Sequence, residues 1–418
     1  MSHGIEIRTL TEGDVADWMR AMQTGFMRPP SVTEADVELF SKTRDLSRTR
    51  GAYDGRRWVA TYRSFDQELT VPGGAAVSSC AVSAVTVSPT HRRRGLLSRM
   101  LREDMEAAKE RGDVVASLIA AEYPIYGRYG FGPAAWTTDY DVTTPRAQLD
   151  PRYAGPDDGG TVELLDAAEL TAIAPALHDR FRRLVPGAVN RDATRWQAYT
   201  GAAHYSVDEP WHEPFHAVYR SAAGEPEGIV TYRTKWGDWP GKLSDDELTV
   251  TDLFTVTPAA ERALWRYLVS FDWITTIHTG HRAPDDLLPL YLGDPRAARV
   301  TTHADYLWLR PLDVPRLLEA RTYAASGSLV LDVHDPAGLA GGRFLLDAGG
   351  PGSAGCAPTD RPADLALSVA ELARLCLGDE SAVRLAALGV VDEERPGAAA
   401  RADALLRTSR RPWCPDMF

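Results

Sequence analysis

The stretch Val87-Ser88-Pro89-Thr90-His91-Arg92-Arg93-Arg94-Gly95 joins two different periodicities. Before it, residues 77–87 are β-branched and small and read as a strand; after it, Leu96, Leu97, Met100, Leu101, Met105 and Ala108 recur at helical spacing. Gly112 stands where that helix wants a left-handed residue at its end. A helix that starts straight after a strand aims unpaired N–H groups and its positive dipole end at the turn. Pro89 stops the strand, Gly95 lets the backbone come close, and Arg92, Arg93 and Arg94 add cationic charge. A basic triplet by itself is a solvated loop. The ordered series of strand, proline, Arg-x-x-Gly and amphipathic helix is instead a place for a pyrophosphate. If the strand end Val85, Thr86 and Val87 splays from its neighbour, its free backbone groups suit an amide-bearing arm. A pyrophosphate followed by such an arm and a thioester is acetyl-CoA, and Ser98 completes the helix start that would meet it.

The elements around this turn read as mixed α/β. Residues 5–10 alternate like a half-buried strand, 14–22 follow a helical pattern, and 58–62 form another strand candidate. A strand over 114–120 leads to Ala121 and Glu122, then to the glycine-punctuated run Tyr126-Gly127-Arg128-Tyr129-Gly130-Phe131-Gly132. Residues 144–160, rich in Pro, Asp and Gly, read as a linker. Beyond it, Leu253-Phe254-Thr255-Val256-Thr257-Pro258 echoes Ala84-Val85-Thr86-Val87-Ser88-Pro89, and again a helical pattern follows. The echo marks a duplicated domain. After about residue 311 the style changes once more: strands over 328–333 and 342–346, a glycine-rich turn over 349–355, then helical patterns over 362–377 and 381–388. Three units result, 1–143, 144–310 and 311–418, as a chain of 418 residues leads one to expect.

Composition narrows the function classes. No apolar run approaches the roughly 18 residues of a membrane span, and the N-terminus has no basic patch followed by an apolar stretch, so neither a membrane nor an export signal is expected. Cys80, Cys356, Cys376 and Cys414 are scattered without metal-ligand spacing, which fits a reducing cytoplasm and no metal site. A net charge of −12 argues against nucleic acid and suits a cationic small substrate. His212-Glu213-Pro214-Phe215-His216 matches a zinc-protease pattern literally, but Pro214 and the strand-like residues that follow oppose the helix such a site needs. The 349–355 run lacks the Gly-Lys-Ser/Thr of a phosphate loop, and no Gly-x-Ser-x-Gly elbow is present. Trp58, Trp136 and Trp196 could line a substrate cavity, with a packed structural role as the simpler expectation.

Arg92-Arg93-Arg94-Gly95-Leu96-Leu97 resembles the Arg/Gln-x-x-Gly-x-Gly/Ala signature of the GCN5-related N-acetyltransferase (GNAT) superfamily, with Leu97 departing from the usual small residue. The longer runs 87–97 and 125–132 resemble the Eis (enhanced intracellular survival) family, as do Asp294-Pro295-Arg296, residues 307–314 and the closing 412–418. The resemblance implies two tandem GNAT folds followed by a sterol-carrier-protein-like α/β domain, the second GNAT fold without cofactor. In the echo, Glu261 and Ala263 stand where the first copy has arginine and glycine, so a carboxylate would repel the pyrophosphate.

For the chemistry, the resemblance implies that Tyr126 protonates the departing thiolate and that the α-carboxylate of Phe418 serves as base. Tyrosine, with a pKa of about 10, can donate to a thiolate of similar basicity. A terminal carboxylate of pKa about 3.3–3.7 is a poor base for a free ammonium, but it can orient the amine and take the proton once C–N bond formation acidifies it. Pro412 and Pro415 keep the tail irregular while Trp413, Met417 and Phe418 give it apolar anchors. The acetyl-CoA contacts expected are Val85, Thr86, Val87, Arg92, Arg93, Arg94, Gly95, Leu96, Leu97 and Ser98, with Ala121 and Glu122 on the thioester side. The implied acceptors are primary amines, aminoglycoside-like polyamines first and protein lysines second, and the implied assembly is a hexamer. A lipid carrier with a vestigial GNAT site is the alternative of a different class, disfavoured by the intact turn.

Overall fold

Apolar residues at every second position become strands, and those at helical spacing become the helices that cover them. The computed structural model describes residues 4–153, 158–204, 211–349 and 354–418. In the first unit, β1 (Glu6–Thr9), α1 (Val15–Gly25), α2 (Glu34–Thr43), β2 (Thr49–Tyr53), β3 (Trp58–Thr70) and β4 (Ala76–Val87) precede α3 (Leu96–Arg111), β5 (Val115–Ile119), the short α4 (Tyr123–Tyr126) and β6 (Gly132–Thr143). Helix α3 lays Leu96, Met100, Leu101, Met105 and Ala108 into a core shared with Tyr62, Phe131 and Trp308. Each large side chain so buried contributes about 1.5–3 kcal/mol. Gly112 ends the helix at φ +87°, as expected of a left-handed cap.

The second unit repeats the pattern: β7 (Thr161–Leu165), α5 (Ala167–Arg182), α6 (Ala193–Tyr199), β8 (Phe215–Arg220), β9 (Pro226–Lys235), β10 (Asp246–Thr255), α7 (Pro258–Val269), β11 (Ile274–His278), α8 (Leu288–Tyr291) and β12 (Ala298–Pro311). The two units share one twelve-stranded sheet, in the order β1-β2-β3-β4-β5-β12-β6-β11-β10-β9-β8-β7. The last strand of each unit has changed places. β12 pairs antiparallel with β5 of the first unit, and β6 pairs with β11 of the second. The two exchanged strands also pair with each other. Residues 144–160 are less free than their composition suggests: Asp150 N donates to Tyr291 O at 2.8 Å, and Gly293 N to Gln148 O at 2.8 Å. Residues 154–157 lie outside the described part.

The third unit packs α9 (Val314–Ala320), α10 (Val369–Cys376), α11 (Ala382–Leu388) and α12 (Ala398–Leu406) on a five-stranded sheet of β13 (Ser326–His334), β14 (Gly342–Gly349), β15 (Ala354–Pro358), β16 (Leu365–Ser368) and β17 (Val391–Glu393). Residues 362–377 are therefore not one helix. Leu365 and Leu367 point into the core at strand spacing and β16 pairs with β13 and β17, so the helix begins only at Val369, where Ser368 caps it. Most of the 349–355 turn falls outside the described residues. Helix α10 docks tightly on β6: a Cβ at Gly132 would lie 2.1 Å from Ala370 O. The buried pair Arg310–Asp335, 3.0 Å apart, ties β12 to the third unit.

Candidate functional site

Strand β4 pairs in parallel with β5 only where Ser79, Cys80 and Ala81 meet Val115, Ala116 and Ser117. Beyond that the two strands part. On its other side β4 carries a bulge against β3, where Ala84 takes φ +52° and the register shifts. The Thr61 hydroxyl holds this bulge, with Ala84 O at 2.8 Å and Thr86 Oγ1 at 2.7 Å. The strand end thus leaves backbone groups free on the β5 side, as an extended amide arm requires.

After Pro89 the chain makes one tight turn and enters α3 through Arg93 at φ +61° and Gly95 at φ +71°. Gly95 caps the helix without a side-chain acceptor, so the first amides of α3 stay available to an anion. Val85, Thr86, Val87, Arg92, Arg93, Arg94, Gly95, Leu96, Leu97, Ser98, Ala121 and Glu122 all line one cavity of about 510 Å³, together with Tyr126. Gly25 at the end of α1 forms part of the wall; a Cβ there would lie 2.3 Å from Thr86 Cβ.

Tyr126 is 7% exposed, and its hydroxyl bonds to no described residue. Burial, then the nearby Glu122 charge, pushes its pKa up to about 12. The phenol is therefore protonated throughout the working pH range. Relative to the sequence-based value of 10 it is a weaker acid, suited to donating a hydrogen bond rather than to giving up its proton outright. The turn after Tyr126 is buttressed from outside: Arg310 Nε donates to Tyr129 O at 2.7 Å, and Tyr129 OH meets Ser98 Oγ at 2.9 Å.

A family profile described as "Acetyltransferase (GNAT) domain" matches residues 6–134, a second of the same description matches 187–311, and one described as "Sterol carrier protein domain" matches 314–415. A Streptomyces avermitilis protein described as an uncharacterized N-acetyltransferase is 59% identical over 416 residues, 99% of each chain. N-acetyltransferase Eis of Mycobacterium tuberculosis is 37% identical over 343 residues, 81% of this chain and 80% of that one. The chain belongs to the Eis family of GNAT N-acetyltransferases. The crystal structure of Eis1 from Mycobacterium abscessus superposes over 99% of this chain and 100% of its own, with TM-score 0.85 at 30% identity. A GCN5-related N-acetyltransferase from Anabaena variabilis shares the fold, with TM-score 0.84 at 18% identity and coverage of 99% and 100%. The recognised family, the tandem GNAT plus sterol-carrier architecture and the acetyltransferase activity thus stand, and GNAT folds use acetyl-CoA as co-substrate.

In this Eis-family chain Phe418 does not share the cavity of Tyr126. It lines another, of about 640 Å³, with Phe65, Tyr199, Trp211, Asp66, Asp192, Arg44, Arg63 and Arg233. Its ring stands edge-on to Phe65 with centroids 6.1 Å apart. Phe418 and Ile119, the last residue of β5, pack against the same apolar cluster, and Ala121 two residues on lines the Tyr126 cavity. The tail that delivers Phe418 is anchored by a residue the sequence reading passed over. Asp416 is 0% exposed and accepts from Arg191 Nε at 2.8 Å and Tyr199 OH at 3.2 Å, with Arg195 at 3.1 Å. Arg191 also grips Asp252 of β10 at 2.6 Å. Burial acts to raise the Asp416 pKa, but the two guanidiniums outweigh it and hold the carboxyl below its usual range. A lone acid inside an otherwise apolar tail was the available signal.

The echo turn is built differently from the first. No loop separates Pro258 from its helix: α7 starts there, Thr257 Oγ1 accepts from Ala260 N at 3.2 Å, and Glu261 lies inside the first turn. Arg282 donates to Leu253 O at 3.0 Å, on the β10 edge that the first unit leaves free, and its guanidinium lies 5.0 Å from the Trp413 ring. The remaining cavity is about 220 Å³ and has Arg282, Arg410 and Arg411 beside Glu261. The second turn thus differs from the first in its capped helix start and its occupied groove as well as in Glu261. Of the other sequence candidates, Trp58 is a core residue beside Trp18 and Phe40, Trp136 stacks on His303, and Trp196 packs with Phe181 and Trp413. His216 sits on strand β8 facing Thr231, so the His212–His216 spacing is not helical.

Proposed function

We propose that the chain transfers acetyl from acetyl-CoA to a primary amine, with the cofactor on the Arg92–Gly95 turn, Tyr126 as hydrogen-bond acid and the Phe418 carboxylate as base. The observation that carries this reading is the convergence of the β4 end, the uncapped start of α3 and Tyr126 on one cavity. The pantetheine arm follows the free edge of β4, and the pyrophosphate accepts from the first amides of α3. The amine attacks the thioester carbonyl, forming the C–N bond. As that bond forms the nitrogen becomes acidic, and the Phe418 carboxylate accepts its proton. The C–S bond then breaks, and the thiolate leaves against the Tyr126 hydroxyl.

Arginines as well as carboxylates line the Phe418 cavity, so the acceptor need not be a polycation. The resemblance favours aminoglycoside-like polyamines over protein lysine. An acceptor panel of aminoglycosides, simple diamines and a lysine peptide, read by CoA release, ranks them. Buried free thiols support a reducing, cytoplasmic setting; among the described residues no helix is long and apolar enough to cross a membrane. The proposal includes a homo-oligomer, a hexamer by family likeness, which sedimentation tests. The deciding experiment adds one residue after Phe418, moving the carboxylate by about 3.3–3.6 Å. Turnover should fall steeply with acetyl-CoA affinity unchanged, and Tyr126→Phe should do the same. Normal turnover in the extended chain removes Phe418 from the mechanism while leaving the cofactor site standing.

A further inference from the structure

On the second unit, sharing no lining residue with the cavities above, β9, β10, β11 and the 236–245 loop enclose a further cavity of about 570 Å³. Its walls are aromatic. Trp239 and Trp273 stand at 80° with centroids 5.2 Å apart, and Phe215 stacks on Tyr232 at 5.3 Å. Trp273 is 65% exposed and Trp239 38%, so these faces are not consumed by the core.

Asp246, only 7% exposed, also lines the cavity, as does Asp272. Asp246 Oδ1 accepts from Gly237 N at 2.8 Å and Trp239 Nε1 at 3.1 Å. Its Oδ2 makes no hydrogen bond among the described residues, and neither acid has an ion pair with a described cation; Lys235 of β9 is engaged by Glu247 at 3.1 Å. A buried carboxylate without a counter-ion is costly, and a neutral apolar guest would strip it of water as well. Ring faces carry negative potential, so they and the carboxylate favour the same guest.

The loop holds this shape before any guest arrives. Trp239 is kept at φ +49°, a conformation bulky residues avoid, with its N–H on Asp245 Oδ1 at 3.2 Å. Gly237 is needed beside it, because a Cβ there would lie 1.7 Å from the same Asp245 oxygen.

We propose that this cavity is a binding site for a small organic ammonium ion, held by the Asp246 carboxylate and the faces of Trp239 and Trp273. The site is independent of acetyl transfer. The test titrates the full chain with choline and with its neutral isostere 3,3-dimethyl-1-butanol, following tryptophan fluorescence and heat. Choline should saturate, and bind at least about tenfold more tightly than the alcohol. Asp246→Asn and the surface change Trp273→Ala should each weaken choline by about fivefold or more, with acetyl-CoA affinity unchanged. Equal binding of choline and the alcohol, no saturation by choline, or full affinity in both variants would overturn the proposal. So would loss of a larger assembly in Trp273→Ala without any choline response, which would make the surface a contact between copies.

Discussion

Replacing Asp416 by Asn removes one charge from the anchor of the tail and leaves its shape. In the native chain Asp416 and the Arg191 side chain are both 0% exposed, 2.8 Å apart, with Arg195 at 3.1 Å. Removing one partner of a buried pair costs about 3–5 kcal/mol, because the other charge stays out of water. Arg191 keeps Asp252 at 2.6 Å, and the Asn oxygen still accepts, so the lower figure of about 3 kcal/mol applies. That cost falls on the docked tail and shifts its docking equilibrium by roughly a hundredfold. Trp413 and Cys414, 4% and 0% exposed, still hold the segment before it, so the change loosens the last residues first. A displacement of about 1 Å at a group acting in the transition state costs on the order of a hundredfold in rate. Turnover of Asp416→Asn should therefore drop by about two orders of magnitude, with acetyl-CoA Kd within about twofold of the parent. The assay pairs kcat, normalised to folded protein, with calorimetry of acetyl-CoA. A kcat within about threefold of the parent would refute the reasoning, since the buried network would then not govern the position of Phe418.

Gly95→Glu and Arg93→Glu should each weaken acetyl-CoA by tenfold or more, about 1.4 kcal/mol, because φ +71° at Gly95 disfavours a side chain and either carboxylate would face the pyrophosphate; parental affinity in both by calorimetry counts against the cofactor assignment. Crystals soaked in acetyl-CoA should show it on the first turn alone, and density for it at Thr257 and Pro258 contradicts the account of the capped second turn. His178, beside Asp416 at 3.8 Å, has its pKa lowered to about 3, first by burial and then by Arg191, so the fold holds it neutral. A depressed folded pKa gives stability that is full above the unfolded value near 6.5 and fades as pH falls towards 3, about 2 kcal/mol at pH 5. Urea unfolding at pH 8 and pH 5 should show this loss in the parent and not in His178→Gln, and identical slopes would remove His178 as its source.

The strand, turn and helix around Gly95 were legible because their parts are local: strand, proline, cations, glycine and helix follow one another within about two dozen residues. The three units were legible for the same reason, since each carries its own periodic elements. Residues 362–377 misled because Leu365 lies four residues before Val369 and so extends the helical spacing, and only pairing with β13 shows that it belongs with Leu367 to a strand. Nothing local singles out Arg191, Asp252 and Asp416, which lie 225 residues apart at the extremes, and only the docked tail makes them one network. Pairing of β5 with β12 leaves no trace in composition either, since both strands satisfy the same alternation whichever neighbour they choose.

That pairing has a consequence for how the chain can be divided. A cut in residues 144–160 yields a front piece whose β5 lacks β12 and whose β6 lacks both neighbours, and a rear piece with the opposite surplus. Each fragment would expose unpaired strand edges and be prone to aggregate alone. Mixed, the two hold complementary missing strands, so they should reconstitute as a split protein rather than act as separable modules. The echo at Thr255 and Val256 suggests copying of one unit, yet the exchange binds the copies into a single folding unit. Recombination that replaced either half would have to supply a strand fitted to the other half's sheet.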